Sequence, residues 1–240
     1  ALEEGKMRNM PLEPLVIDSY KSFTDEFKRG LKNLKELFER TQNITEPVKL
    51  HEESLRCMYA LRNFTGEFNE ATRIKISDSL SWRVWSEQKR HATLRQNVES
   101  VYSAAERAYQ GVNKLWPIIN EAHEKNDFEK IKNILGDLEK DIIIDERLKK
   151  KPELIIPYVY HTARQLMFYG KMIEKGFEQR DALYIVPKNI RVRTLENYDL
   201  TNLINLELPL RLCWTCEPER QFTSWKKREI ILNIVPELEF

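Results

Sequence analysis

Apolar residues return at helical spacing along most of this chain, interrupted by a few short alternating stretches. Phe23, Phe27, Leu31, Leu34 and Phe38 recur at threes and fours and predict an amphipathic helix, preceded by a strand at Leu15 to Tyr20, LVIDSY. Pro47 closes that unit, and His51 to Leu61 predicts a second helix. Ala71 to Ile76 sets Thr72, Ile74 and Ile76 against Arg73 and Lys75, the alternation of a half-buried strand. From Val98 onward, Val101, Tyr102, Ala105, Ala108, Tyr109, Val112, Leu115 and Trp116 form one helical stripe, which extended backwards passes through Arg95, His91 and Gln88. A core-facing stripe that turns cationic is costly unless an anion or a partner residue meets it. The stretch Trp85 to Tyr102, WSEQKRHATLRQNVESVY, therefore reads as a site. An exposed basic helix end, with His91 merely hydrogen-bonded, is the alternative. In an unbroken helix, Arg90 and Asn97 share a second line about two turns long.

After Trp116-Pro117 a charged helix is predicted from Asn126 to Lys140, with Phe128, Ile131, Leu135 and Leu138 inward. Pro152 to Gly176 holds a longer helix starting near Pro157, with Lys175 in its last turn and Gly176 as its cap. Strands are expected at Ala182 to Val186, ended by Pro187, and at Ile190 to Leu195. Asn197 to Trp214 is helical in pattern, capped by Asp199 or Asn197 and broken or kinked at Pro209. A last helix runs from Pro218 to before Pro236. Helices and strands interleave without a βαβ rhythm, so the fold class is α+β and helix-rich, with residues 1–240 forming one domain. The start without methionine is expected of a trimmed chain or of a piece of a longer one.

Charge and composition narrow the function. Charged residues make up 32% of the chain but sum to +1, so no global field recruits nucleic acid or an anionic membrane. Lys149-Lys150-Lys151 and Lys226-Lys227-Arg228 have acidic neighbours and are expected to be solvated faces. No apolar run nears the roughly 20 residues of a bilayer span and nothing resembles a signal peptide, so a cytoplasmic location is expected. Cys57, Cys213 and Cys216 are too few for a disulfide framework; the C-x-x-C has no second pair to complete a zinc site, and His51, His91, His123 and His161 form no metal motif. The seven scattered glycines make neither a P-loop nor a dinucleotide fingerprint. Any phosphate must be held by Arg, His, Ser and helix ends.

Two blocks together resemble the flavin-dependent thymidylate synthase family. Tyr169 to Thr194, YGKMIEKGFEQRDALYIVPKNIRVRT, is similar to that family's helix, glycine turn and valine-leucine-proline strand, and leads to Leu210-Arg211-Leu212-Cys213, similar to its L-R-L-C segment. The block Trp85 to Tyr102 stands where the family carries R-H-R-x-x-S-x-N-E-x-S-x-R-Y. Arg90, His91, Asn97 and Ser100 match, while Ala92, Arg95, Val98 and Tyr102 replace an arginine, a serine, a glutamate and an arginine. Set against the family's pattern, Glu99 and Arg95 would substitute only after a one-residue shift, which in a helix turning about 100° per residue aims them elsewhere, and Leu183 stands where another arginine is expected. The resemblance implies a mixed sheet flanked by helices. It also implies FAD held by Arg90, His91 and Asn97, with Glu217 and Thr215 at polar flavin-facing positions. Deoxyuridylate (dUMP) would face Arg90, Ser100 and Arg211, with Arg95 completing a phosphate cradle. The reaction implied is reductive methylation of dUMP to dTMP with a folate derivative, without a cysteine nucleophile. A homotetramer with sites where subunits meet is implied, and the apolar surplus at Trp82, Trp85, Trp116 and Trp214 suits it. The other reading is a homologous domain without turnover, acting as a structural or nucleotide-sensing partner.

Overall fold

The computed structural model describes residues 12–89, 93–213 and 216–239. Strand β1 (Leu15–Lys21) leads to helices α1 (Asp25–Gln42) and α2 (Pro47–Glu67), then β2 (Thr72–Ser81), α3 (Trp82–Gln88) and β3 (Arg95–Val98). Helices α4 (Val101–Lys125), α5 (Phe128–Leu138), α6 (Glu146–Lys149), α7 (Pro152–Glu174) and α8 (Gln179–Ala182) follow. After β4 (Arg191–Asp199) come α9 (Leu200–Ile204), α10 (Glu207–Leu212) and α11 (Pro218–Ile234). The sheet order is β1-β2-β4-β3, and β1 runs antiparallel to β2 with Leu15 opposite Ser77 and Lys21 opposite Thr72. This is a helix-rich α+β fold, as the pattern predicts. The chain divides into two compact units, and β2 and β4 each have residues in both.

The first unit comprises residues 78–89 and 97–194 together with Leu12. Its core is built on α4 and α7 around Ala104, Ala105, Ala108, Val112, Ile119, Val159, Ala163 and Leu166. The small side chains of α4 permit close approach: a Cβ at Gly170 of α7 would overlap the Tyr109 ring. Pro117 does not end α4, which continues to Lys125 because Ile119 and Ala122 extend the buried stripe and outweigh the one backbone bond that proline removes. Likewise α7 begins at Pro152 and carries Pro157 inside it. It ends as predicted at Gly176, whose φ of 83° lets its N–H donate to Ile173 O and that of Phe177 to Met172 O. The strand expected at Ala182 to Val186 is instead the end of α8 and a 3-10 turn over Leu183–Ile185. Val186 N–H bonds back to Leu183 O, and Tyr184 is 93% exposed, so the short apolar run satisfies its backbone locally.

The second unit comprises residues 13–77, 93–96 and 195–239. Phe27 is fully buried, stacked on Phe23 at 4.2 Å and tilted against Phe64 at 5.1 Å. Thr24 caps α1 by accepting from Phe27 N. Pro47 opens α2 rather than closing the preceding unit, since a first-turn proline loses no helical bond. The helix expected over Asn197 to Trp214 is divided. Asn197 lies in β4, Asp199 caps α9 through Asn202 N, and α10 follows with Pro209 in its first turn; Trp214 lies outside the described residues.

Candidate functional site

The stretch Trp85 to Tyr102 is not one helix. It passes from α3 to β3 and back into α4, so the predicted cationic stripe through Gln88, His91 and Arg95 does not exist as a continuous line. Gln88 is buried in α3, Arg95 is exposed on β3, and Arg90 and His91 lie outside the described residues. The physical reason is Ser100, whose hydroxyl accepts from Tyr102 N and starts α4 there. Arg95 and Asn97 are both exposed positions of β3, two residues apart, and therefore share one strand face, where a helix would have turned them about 200° apart.

In the first unit, Glu99 is committed internally. Its carboxylate accepts from Arg107 Nε at 3.0 Å and Nη2 at 2.9 Å, and Arg107 Nη1 also donates to Asp141 Oδ1 at 2.5 Å. Burial opposes the Arg107 cation, yet the two carboxylates raise its pKa; burial raises Asp141 against the pull of Arg107. A Cβ at Gly111 would overlap the Asp141 carboxylate, so the helix passes close to this cluster. The Glu99 carboxylate is thus neutralised by Arg107 within the first unit. Leu183 packs at the edge of the same unit's core.

In the second unit, Arg211 finds an internal carboxylate. Its Nε donates to Glu207 Oε1 at 3.3 Å within α10, and Arg220 Nη2 donates to the same oxygen. Among the described residues, Glu207 Oε2 and Arg211 Nη2 are buried without a hydrogen-bond partner. Glu217 caps α11 by accepting from Arg220 N at 3.2 Å, and Thr215 lies outside the described residues. Lys227, expected in a solvated basic run, is fully buried and donates to Glu196 Oε2 at 2.5 Å; Tyr198 OH donates to that oxygen at 2.7 Å. Burial would raise the Glu196 carboxyl, but Lys227 and Arg220 hold it well below the usual range, whereas burial and Glu196 push the Tyr198 phenol up. Lys149 is likewise only 18% exposed, between Glu139 and Glu146. Periodicity passed over Arg107, Glu196 and Lys227. The available signal for Arg107 was a charged residue within the alanine stripe of α4, one that needs a buried carboxylate.

Neither Cys213 nor Cys216 is in a disulfide, and Cys57 is buried against Thr41 Oγ1 at 3.1 Å. No helix among the described residues is long and apolar enough to cross a membrane.

The flavin-dependent thymidylate synthase of Pyrococcus horikoshii is 33% identical to this chain over 95 residues, which is 40% of this chain and 39% of that protein. That of Pyrococcus abyssi is 29% identical over 94 residues, 39% of this chain and 38% of its own length. The match spans about two fifths of the curated relatives. No family model matches the chain. Two crystal structures of thymidylate synthase ThyX from Helicobacter pylori with FAD and dUMP share the fold. Their TM-scores are 0.50 and 0.53 at 10% and 12% identity, over 90% of this chain and 92% and 91% of theirs.

Proposed function

We propose that this chain, a divergent relative of the flavin-dependent thymidylate synthases, binds FAD and dUMP and methylates dUMP reductively to dTMP with a methylene-folate as carbon donor. The reading rests on the 95-residue match at 33% identity, which a shared fold alone would not produce. The side chains present suit anions. Arg211 keeps a buried guanidinium N–H without an acceptor, and Arg95 and Asn97 present a cation and an amide on one face of β3. Arg90, His91 and Asn97 would hold the flavin and Ser100 would face the nucleotide, as their match to the signature implies. Glu217 is spent on capping α11, so its flavin contact is limited to its second oxygen. Arg211 and Arg95 would hold the nucleotide phosphate. Flavin in its reduced form, when bound, would supply the hydride that the reductive methylation consumes. The chain's own residues bind and orient the nucleotide and keep its phosphate neutralised. We propose a homotetramer as the assembled form.

The second reading is a homologous domain without turnover that serves as a structural or nucleotide-sensing partner. It is favoured by one observation: Glu207 already neutralises Arg211. Arg211→Ala separates the two. Arg220 stays with Glu207, so the change leaves that buried carboxylate a cation and should move the melting temperature little. Under the first reading it weakens dUMP binding by about 1.5–3 kcal/mol, roughly ten- to a hundredfold. Calorimetric titration of both forms with dUMP, in the presence of FAD, measures this, and single-turnover formation of dTMP from pre-reduced flavin and a methylene-folate tests the chemistry. Wild-type protein that takes up neither FAD nor dUMP excludes the synthase reading. Binding without dTMP formation supports the sensing partner.

A further inference from the structure

In the first unit, α4 and α7 border a groove of about 510 Å³, within the usual size of small-ligand sites. Its walls combine rings and cations. Tyr160 is clamped between His123, stacked at 3.7 Å and 10°, and Trp116, stacked at 5.7 Å and 24°. This ladder fixes one wall before any ligand arrives. Along α7, His161, Arg164, Phe168 and Lys171 follow at three- and four-residue spacing and so line one face of the helix. Phe168 is 51% exposed and offers a ring. No acidic side chain lines the groove, and among the described residues no carboxylate pairs with Arg164 or Lys171. The groove therefore sets two cations, with no carboxylate in its lining, beside flat apolar rings.

We propose that this groove is a binding site for a planar aromatic anion: a flat ring system stacked against Trp116 and Phe168, carrying a phosphate or carboxylate held by Arg164 and Lys171. Ring and charge are recognised together. Bulk water screens an exposed anion alone, and a neutral ring forgoes the guanidinium. All of these residues belong to the first unit, whereas Arg211 belongs to the second, so the inference does not depend on the dUMP reading.

The test is calorimetric titration of the intact protein with AMP, with indole-3-acetate and with adenosine. Saturable binding of AMP alone assigns a phosphate ligand, and binding of indole-3-acetate alone assigns a carboxylate; either supports the site. Adenosine should bind at least about tenfold more weakly than AMP, the loss expected for one charge-assisted hydrogen bond. The double variant Arg164→Gln/Lys171→Gln should lose at least about tenfold in affinity for the anion at unchanged melting temperature, since both side chains are exposed. Arg211→Ala should leave it unaltered. Absence of binding by both anions, adenosine binding as tightly as AMP, or a double variant that binds like wild type would each overturn the proposal.

Discussion

A charge inside a run of lysines and arginines is normally solvated, and Lys227 shows how burial reverses that expectation. It is buried against Glu196, whose carboxylate also has Arg220 and the Tyr198 hydroxyl beside it. Glu196→Gln strands the ammonium, and Lys227→Met removes the nearer of the two cations that hold the carboxylate. Each should destabilise by about 3–5 kcal/mol, lowering the melting temperature by about 6–20 °C. The double variant should lose less than the sum of the two, because neither charge is then left buried without its partner. Thermal melts of the three variants check this, and additive losses would refute the pair. The pH dependence has a definite sign. Glu196 is depressed in the folded state, so its contribution is fully present above the carboxyl's unfolded pKa, near 4.5, and is lost as pH falls through its folded value of about 2. Denaturant titrations between those limits should therefore show a wild-type slope that Glu196→Gln lacks.

Packing between elements depends on where side chains are missing as much as where they are present. Gly170 lies where α7 crosses Tyr109 of α4, and an added methyl would overlap a ring held in place by the core. Gly170→Ala should therefore cost about 1–3 kcal/mol despite alanine's better helix propensity. Gly136 in α5 meets nothing within 4 Å of a built Cβ, so Gly136→Ala should stabilise by about 0.5–1 kcal/mol. Opposite shifts in melting temperature are expected, and a stabilised Gly170→Ala would contradict the close approach. Boundaries of elements were less legible than their cores. The α1 stripe and the Gly176 cap follow from spacing and local φ, both nearest-neighbour properties. The break between α3 and α4 did not, because β3 is a four-residue strand held by sheet pairing, and no propensity in Arg95–Val98 announces it.

For the whole molecule, the apolar surface that suits a homotetramer lies away from the tryptophans. Trp82 and Trp116 pack against the first unit's own core, and Trp85 is half-buried under Lys89 at 5.0 Å, so these tryptophans are not surplus. The better motive is α2 of the second unit, where Val48, Leu55, Met58 and Tyr59 make one exposed apolar stripe; Met58 is 65% and Tyr59 67% exposed. Light scattering at micromolar concentration should report a tetramer, and Met58→Lys/Tyr59→Lys a smaller species with unchanged secondary structure. A monomeric wild type would remove the oligomer and the shared site together.

The sequence by itself determined the fold class, the main helices and the order of the two blocks that resemble the thymidylate synthases, because periodicity, capping and residue order are local and one-dimensional. The pairing of Arg211 with Glu207, one helical turn away, is of the same local kind. Only the tertiary structure decided that Glu99 belongs to Arg107, that Lys227 belongs to Glu196, and that Arg95 and Asn97 share a strand face. Those partners are 8 and 31 residues apart in the two ion pairs. Whether a charge is solvated, paired or available to a ligand depends on what the fold brings against it, and spacing along a chain carries no record of that.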